Sequence, residues 1–559
     1  MRLITNHRWI AVVMAIVALV AVACGTSAEP QAAPVASTTV PIPSPSTPVP
    51  ATDARDTVVL VTGEEPTTLG ALSDGCSGNV PSMVCEEVAS DPFTWIDTTT
   101  FEVVSLTGVE GWSQEAPNRW RFNLREGVTF HNGEAWNAAA AKVSIDWSGD
   151  SGTAGHGMGT YGFHGGIQAE VVDNMTVDIV CDIDCPILPR TTIFLKFQAP
   201  EWWTNASEDE RESMTVGLGP YKVVNWKRGV EIELEAYEDY KPNSSFGSQA
   251  PSIKHAFQVW RNEGLVRASM VAAGEADLAF EIGIANRDLV PRVLTGTNNE
   301  VVLLVADNIW HPELKKQKVR EALALAIDCE GLMEAIYEDL QSCYGTVSQF
   351  GTVGVTLDNS APYGYDTVRA KELLDEAGYD PENEIIIYTR EGRFYNDVEL
   401  VEAVVGQWRE IGVNAKSVIM EGSKHQEVRR SGCGRFEDRK CVGEEPPEPF
   451  FASSHFYLSP TSNESMDMQR QLLLRNSCGN VNSRVCDLVP GFEDAIQEAV
   501  QTPLGPERTR KMEELTNTIR DEVYFIPFFE VVTVYGLAED LVWTPRYDPR
   551  TRINTMSFK

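Results

Sequence analysis

After Val22 the chain has no apolar run approaching the roughly 20 residues needed to cross a bilayer, so the rest does not read as a membrane span. It lacks HExxH, the P-loop lysine motif and the Gly-x-Ser-x-Gly elbow, the spacings that mark zinc proteases, nucleotide hydrolases and serine esterases. Its eight histidines are scattered, and no cysteines have the CxxC…CxxC spacing of a structural zinc site. Basic residues are scarce: 46 Lys and Arg face 81 Asp and Glu, a formal net charge of −35. Such a surface excludes nucleic-acid binding, which sets Lys and Arg against phosphate. Carboxylates are too abundant for any two to single themselves out as acid and base. Gly157-Met-Gly-Thr-Tyr-Gly162 matches GxGxxG in form, but it sits in a glycine-rich stretch without the strand and helix of a dinucleotide cradle. His156 and His164 share that loop, either as solvated side chains or as two ligands of a metal. No cofactor, no resident metal and no enzymatic activity are expected.

What is present starts at the N-terminus. Arg2 and Arg8 precede the apolar run Trp9 to Val22, which ends Ala21-Val22-Ala23-Cys24. A positive start, a short apolar stretch and small residues before a cut form an export signal. A cysteine directly after that cut resembles the lipobox of bacterial lipoproteins, with Ala21 where leucine is usual. The resemblance implies that 1–23 is removed and that Cys24 is lipidated; ordinary secretion and a retained anchor are the alternatives. Residues 24–56 are rich in Ala, Pro, Ser, Thr and Val, with prolines at 30, 34, 41, 43, 45, 48 and 50. Such a segment buries too little apolar surface to fold and makes an extended tether.

Setting Cys24 aside, the other cysteines fall into neighbouring couples: Cys76/Cys85, Cys181/Cys185, Cys329/Cys343, Cys433/Cys441 and Cys478/Cys486. Couples of this kind read as local disulfides in an oxidising compartment, agreeing with export. About 500 of the 559 residues remain after the tether, more than one core usually serves. The 13 tryptophans and an apolar fraction of 43% suit a packed body of two or three domains.

Strand and helix signals alternate along that body, which is the mark of an α/β fold. Asp56 to Thr62 is a β-branched run, and Leu124 to Phe130 reads as a second strand closed by His131-Asn132-Gly133. Ala138 to Trp147 has helical spacing, and Asp173-Asn174 leads into a strand over Met175 to Val180. Tyr221 to Trp226 and Val230 to Ala236 flank Lys227-Arg228-Gly229 as a hairpin. Helices follow over Leu265 to Ala273, Val319 to Ala326, Val368 to Ala377 and Val398 to Ile411, the last two stopped by Gly378 and Gly412. Glu384 to Tyr388 is a strand of buried type. No internal repeat appears.

Six blocks, in order, resemble the peptide/nickel-type solute-binding proteins of ABC transporters, extracellular solute-binding family 5. They are Leu124-Arg-Glu-Gly-Val-Thr-Phe-His-Asn-Gly133, Asp173-Asn-Met-Thr-Val-Asp-Ile179, Gly217-Leu-Gly-Pro-Tyr-Lys-Val223, Ala273-Gly-Glu-Ala-Asp-Leu278, Lys318 to Asp328 and Tyr365 to Tyr379. The resemblance implies a two-lobed periplasmic-binding-protein-like (Venus flytrap) α/β fold with an extra subdomain on lobe one and two hinge strands. Lobe one would take 57–87, 214–300 and 531–559, its subdomain 88–213, and lobe two 301–530. The crossovers would be Val301 to Val305 and Phe525 to Val532. It further implies a monomer that holds a short peptide or similar solute between its lobes. An ABC permease and ATPase at the membrane would receive that solute. A nickel-chelate, oligosaccharide or opine ligand, or a sensing lipoprotein uncoupled from transport, are the alternatives.

The family's peptide binders receive the ligand's amino group on a lobe-two carboxylate. The comparable stretch is Gly443-Glu-Glu-Pro-Pro-Glu-Pro449 beside Phe450 and Phe451, so Glu445 is either that carboxylate or part of a solvated acidic loop, with Phe451 next to it. Arg393 and Tyr395 follow a strand and are candidates to meet a ligand carboxylate. Thr67, Thr68 and Leu69 follow the first strand, where the family's chain enters the cleft. Trp260 and Trp112 serve equally as core or as ligand walls.

Overall fold

The structure, a computed structural model, describes residues 55–559 apart from 74–75, 77–81, 98, 150–165, 244–248, 422–423, 426–435, 438–439, 443–454, 479–482, 487–488 and 549. Cys24, Cys433, Glu445, Phe451 and the loop carrying His156 and His164 lie outside the described residues.

Ten strands form one continuous sheet: β1 (Thr57–Thr62), β2 (Tyr221–Lys227), β3 (Glu231–Ala236), β4 (His255–Trp260), β5 (Leu278–Ala279), β6 (Arg292–Ala306), β7 (Ile385–Arg390), β8 (Ala415–Met420), β9 (Phe456–Ser462) and β10 (Phe525–Leu537). Their order is β8-β7-β9-β6-β10-β5-β1-β4-β3-β2. β1 lies between parallel neighbours β4 and β5, with Val58, Leu60 and Val61 fully buried. This is why Thr-Val-Val-Leu-Val-Thr carries no polar face. β2 and β3 form the antiparallel hairpin read from the sequence, turning at Gly229 with φ +76°.

β6 and β10 are the long strands, of 15 and 13 residues, and they pair with each other through both lobes. Arg292–Thr297 pairs with Val532–Leu537 beside the first lobe, and Val301–Val305 pairs with Phe525–Glu530 beside the second. Between these ladders the register breaks: Asn298, Asn299 and Glu300 stand opposite the span of Val531, and Asn299 has φ +52°. A bulge of this kind releases ladder hydrogen bonds and lets paired strands bend. The break sits where β6 takes up β9, whose Ser462 pairs with Glu300.

Each sheet face has its own cores. One face carries Val302, Leu304, Ile387 and Trp408 in lobe two and Val61, Ala279, Ile282 and Val534 in lobe one. The other carries Val301, Leu303, Tyr388 and Phe525 in lobe two and Leu60, Leu278, Tyr535 and Leu537 in lobe one. The helix Asp397–Glu410 covers the first face of β7 with Leu400, Val401, Val404 and Trp408. The helix Thr367–Ala377 starts on Asp366, whose carboxylate accepts from the amides of Val368 and Arg369, and ends at Gly378 with φ +59°.

A separate antiparallel sheet, Val109–Ala116, Arg119–Leu124, Thr176–Cys181 and Ile167–Asp173 in spatial order, packs on the helix Ala138–Gly149 around Phe93, Phe122 and Phe197. Trp112 packs against that core. Here the sequence reading needs correcting. The expected strand over Leu124 to Phe130 ends at Leu124, because the chain turns at Gly127 (φ +71°) and only Thr129 bridges to Ala135.

Among the described residues, Cys76–Cys85, Cys181–Cys185, Cys329–Cys343 and Cys478–Cys486 are disulfides, as the neighbouring couples suggested. Cys441 is also disulfide-bonded. No helix among the described residues is long and apolar enough to cross a membrane.

Candidate functional site

The face of the sheet that meets the small subdomain, called the front, holds an unusual concentration of buried charge. The C-terminal segment reads Arg546-x-Asp548-x-Arg550-x-Arg552, with charges at alternate positions. The guanidinium carbons of Arg546, Arg550 and Arg552 lie 5.1, 4.9 and 5.8 Å from the ring centroid of Trp95, itself 1% exposed. Arg546 forms a two-pronged ion pair with Asp548 at 2.8 and 2.9 Å, and Arg552 donates to Asp91 at 2.8 Å. Arg550 is different. It stands 3.7 Å from both Glu86 and Glu87, and none of its three guanidinium nitrogens donates a hydrogen bond to a described residue. Glu86 and Glu87 each keep one carboxylate oxygen equally without a donor.

The second lobe contributes Glu464 and Arg470, 3.5 Å apart and both buried. Burial pushes the Glu464 carboxyl up, but Arg470 and then Arg550 outweigh it and hold the group below the usual carboxylate range. Arg550 belongs to the C-terminal segment and Glu464 to the turn after β9, so this attraction joins distant stretches of the chain. A polar network fixes that turn. Asn463 donates to Ser348 Oγ (2.9 Å) and to the Asp467 carbonyl (3.0 Å), while Gln349 donates to the Asn463 carbonyl (2.7 Å). Below it, Arg508 grips Asp467 through two 2.8 Å contacts with no exposure of either side chain.

The subdomain closes a third side. Lys196 is buried and donates to the Ile193 carbonyl, and Arg190 reaches the Ser465 carbonyl of lobe two at 3.4 Å. Burial lowers the Lys196 ammonium to about 8, with Glu86 opposing the shift. Burial pushes the Glu87 carboxyl up to about 8 against the pull of Arg550. Cations and carboxylates thus face one another in a region closed to solvent, several of them without hydrogen bonds. Isolated buried charge is costly unless it is paired and bonded. The array offers both donors and acceptors to a solute carrying charges of both signs.

Arg393 and Tyr395 lie just beyond the C-terminal end of β7. Arg393 donates to Glu300 at 2.6 Å, with Glu281 and Glu64 adding to the field that favours its charge despite burial. The Tyr395 ring lies against Gly283 and lines a cavity of about 40 Å³ with Glu281, Tyr337, Phe394 and Val531. The structure separates the other candidates from these two. The Thr68 hydroxyl donates to the Glu212 carbonyl and accepts from the Gly70 amide, and Leu69 is fully buried in the lobe-one core. Both are framework, because a side chain with no accessible surface has nothing to present to a ligand. The neighbouring Thr67 is exposed. Trp260 ends β4 packed against the lobe-one core.

Sequence reasoning missed Arg550, Glu86, Glu87 and Glu464. The signal was available for the first, in the period-two charges of the C-terminal segment. Glu464 had only a buried-type polar run, Ser462-Asn-Glu-Ser465, and no local spacing links it to Arg550.

The family described as "Bacterial extracellular solute-binding proteins, family 5 Middle" matches residues 107–437. The glutathione-binding protein GsiB of Pectobacterium atrosepticum is 27% identical over 273 residues, 46% of this chain and 49% of the relative. The chain therefore spans about half the length of that curated relative. The dipeptide binding protein of Pseudoalteromonas sp. SM9913, solved with Met-Leu, superposes with a TM-score of 0.73 at 17% identity, covering 90% of this chain and 100% of that one. NikA of Staphylococcus aureus, solved with Ni(L-His)2, gives 0.70 at 13% identity with coverage of 90% and 100%. These likenesses establish the two-lobed binding-protein fold.

Proposed function

The chain belongs to family 5 of the bacterial extracellular solute-binding proteins, and from that premise we propose that it captures a small charged solute, a short peptide first of all, between its lobes. It passes the solute unchanged to a membrane permease driven by an ATPase. The observation that carries this reading is the front array, in which Arg550 of one lobe and Glu464 of the other share a field inside a region closed to solvent. A peptide matches it term by term: its carboxylate replaces missing acceptors around Arg550, and its ammonium replaces missing donors around Glu86, Glu87 and Glu464. Met-Leu and Ni(L-His)2, held by the two structural neighbours, also present carboxylates.

Cys24 carries the lipid, 24–56 spaces the body from the membrane, and in the body lobe one takes 57–87, 214–300 and 531–559, its subdomain 88–213 and lobe two 301–530. A ligand touching both lobes favours the closed arrangement through its added contacts, which is how capture becomes a signal to the permease. The test is to produce residues 57–559 in an oxidising compartment and weigh any retained solute by native, then denaturing, mass spectrometry. A ladder of short-peptide masses supports the reading. A single non-peptide mass keeps the binding protein and moves the ligand to a metal chelate, oligosaccharide or opine. Conversion of the solute during incubation would replace the reading with an enzyme.

A further inference from the structure

We propose that the cavity lined by Glu281 and Tyr395 receives an aminoalkyl arm of the captured solute, with methylenes against its rings and the ammonium on Glu281. The solute class is then a short peptide bearing lysine, or another small solute with a primary amine on an alkyl chain. Position comes first. β5 runs parallel to β1, and β7 runs parallel to β8 and β9. Glu281 lies just beyond the C-terminal end of β5 and Tyr395 just beyond that of β7. Open α/β sheets present their ligand sites beyond such strand ends. β10 contributes Phe529 and Val531 to the cavity, and Tyr337 joins them from the end of the helix Cys329–Tyr337.

Walls and charge here ask for different chemistry. Tyr337, Phe394, Tyr395 and Phe529 make the lining largely aromatic, and Glu281 is its only charged member among the described residues. The volume of about 40 Å³ is roughly three times what one water needs, room for the end of an alkyl chain. Glu281 is held at φ +51°, a left-handed conformation that is costly for a residue with a side chain. Arg267 secures it by donating to the carbonyls of Phe280 and Glu281. Its other contacts go to the carbonyls of Arg261 and Asn262, while Arg393 donates to Glu300. Both guanidinium groups act on the Glu281 carboxylate through space, and Glu300 and Glu64 oppose them. That carboxylate accepts no hydrogen bond from a described residue. An ammonium supplies the missing donors and the compensating charge, and its stem covers the rings. A wholly apolar arm would bury Glu281 without a partner, and an acidic arm would set like charges together. Tyr535 sits in the field of both Glu281 and Asp548, so the cavity is near enough to the front array for one short solute to reach both.

The lysine assignment rests on the proposed binding function; the cavity is also tested without any peptide. Calorimetry on the native chain and on Glu281→Gln uses dipeptide twins in which lysine alternates with norleucine, the same stem without the charge, at the first or second position. At one position the lysine peptide is expected to bind the native chain about tenfold tighter than its twin, and the two should bind the variant alike. Twins that bind the native chain equally, or a lysine preference that survives in Glu281→Gln, overturn the assignment. Failure of every dipeptide to bind counts against the peptide reading alone, and thermal melts with pentane-1,5-diamine and pentan-1-ol then decide the cavity. The diamine should raise the melting temperature of the native chain more than the alcohol does, and Glu281→Gln should lose that difference. The same shift in both chains, or none in either, overturns the cavity as an amine site.

Discussion

Two fully buried tryptophans sit in opposite surroundings. Trp408 lies in the lobe-two core among Val404, Ile411, Ile385 and Phe456, and its Nε1 donates to the Leu323 carbonyl at 2.9 Å. Trp95 lies at the lobe junction under three guanidinium groups, and its Nε1 has no acceptor among the described residues. The first site satisfies every demand of a stable interior: apolar contact, close packing and a bonded polar handle. The second breaks those demands with charge that packing alone would not select. On the proposed function, stability and binding fall in different parts of one molecule, and each can be attacked separately.

The widest separation should come from Trp408→Ala. It leaves a large cavity in a dry core and should cost about 3–5 kcal/mol in denaturant unfolding, with solute affinity little changed in the fraction that remains folded. Removing the Cys329–Cys343 bridge, with its sequence separation of 14, should lower stability by about 3 kcal/mol by freeing the unfolded chain. Both are read as a fall in melting temperature, and solute binding should survive both.

At the junction the pattern should reverse. Glu464→Gln keeps the volume and the Ser462 hydrogen bond but removes the charge facing Arg470 and Arg550. Binding should weaken by about 2 kcal/mol or more by calorimetry, with a smaller change in melting temperature. Equal losses in both would dissolve the distinction between the two regions.

The last effect is a slope. The Glu87 carboxyl titrates near 8 in the folded chain because burial penalises its charge, against a reference near 4.5. Between those values the folded state holds the proton that the unfolded state has released, so this group's contribution to stability is full below about 4.5 and fades as pH rises toward 8. Lys196, lowered by burial to about 8, acts above that window: its neutral form is favoured by folding, so its penalty eases as pH rises beyond 8. Glu87→Gln should flatten the fall between about pH 5 and 8 in urea unfolding midpoints. A slope identical to the native chain would place the proton elsewhere.

Local elements were readable in advance wherever one short segment held the whole reason for its shape. Gly229 turned a hairpin, and Gly378 stopped a helix by accepting a left-handed conformation. The buried-type run Ile385–Tyr388 became an interior strand flanked by parallel neighbours. The misreading at Leu124–Phe130 had the same cause in reverse, since apolar residues continued past a turn that Gly127 had already made.

By itself, then, the sequence determined the α/β alternation, the neighbouring disulfides and the acidic character of the chain, because each depends on residues close together or on simple totals. Only the tertiary structure decided which charges meet. Glu86, Glu464 and Arg550 are drawn from three distant stretches, and the burial of Arg550 with no hydrogen-bonded partner among the described residues is a property of the assembled junction.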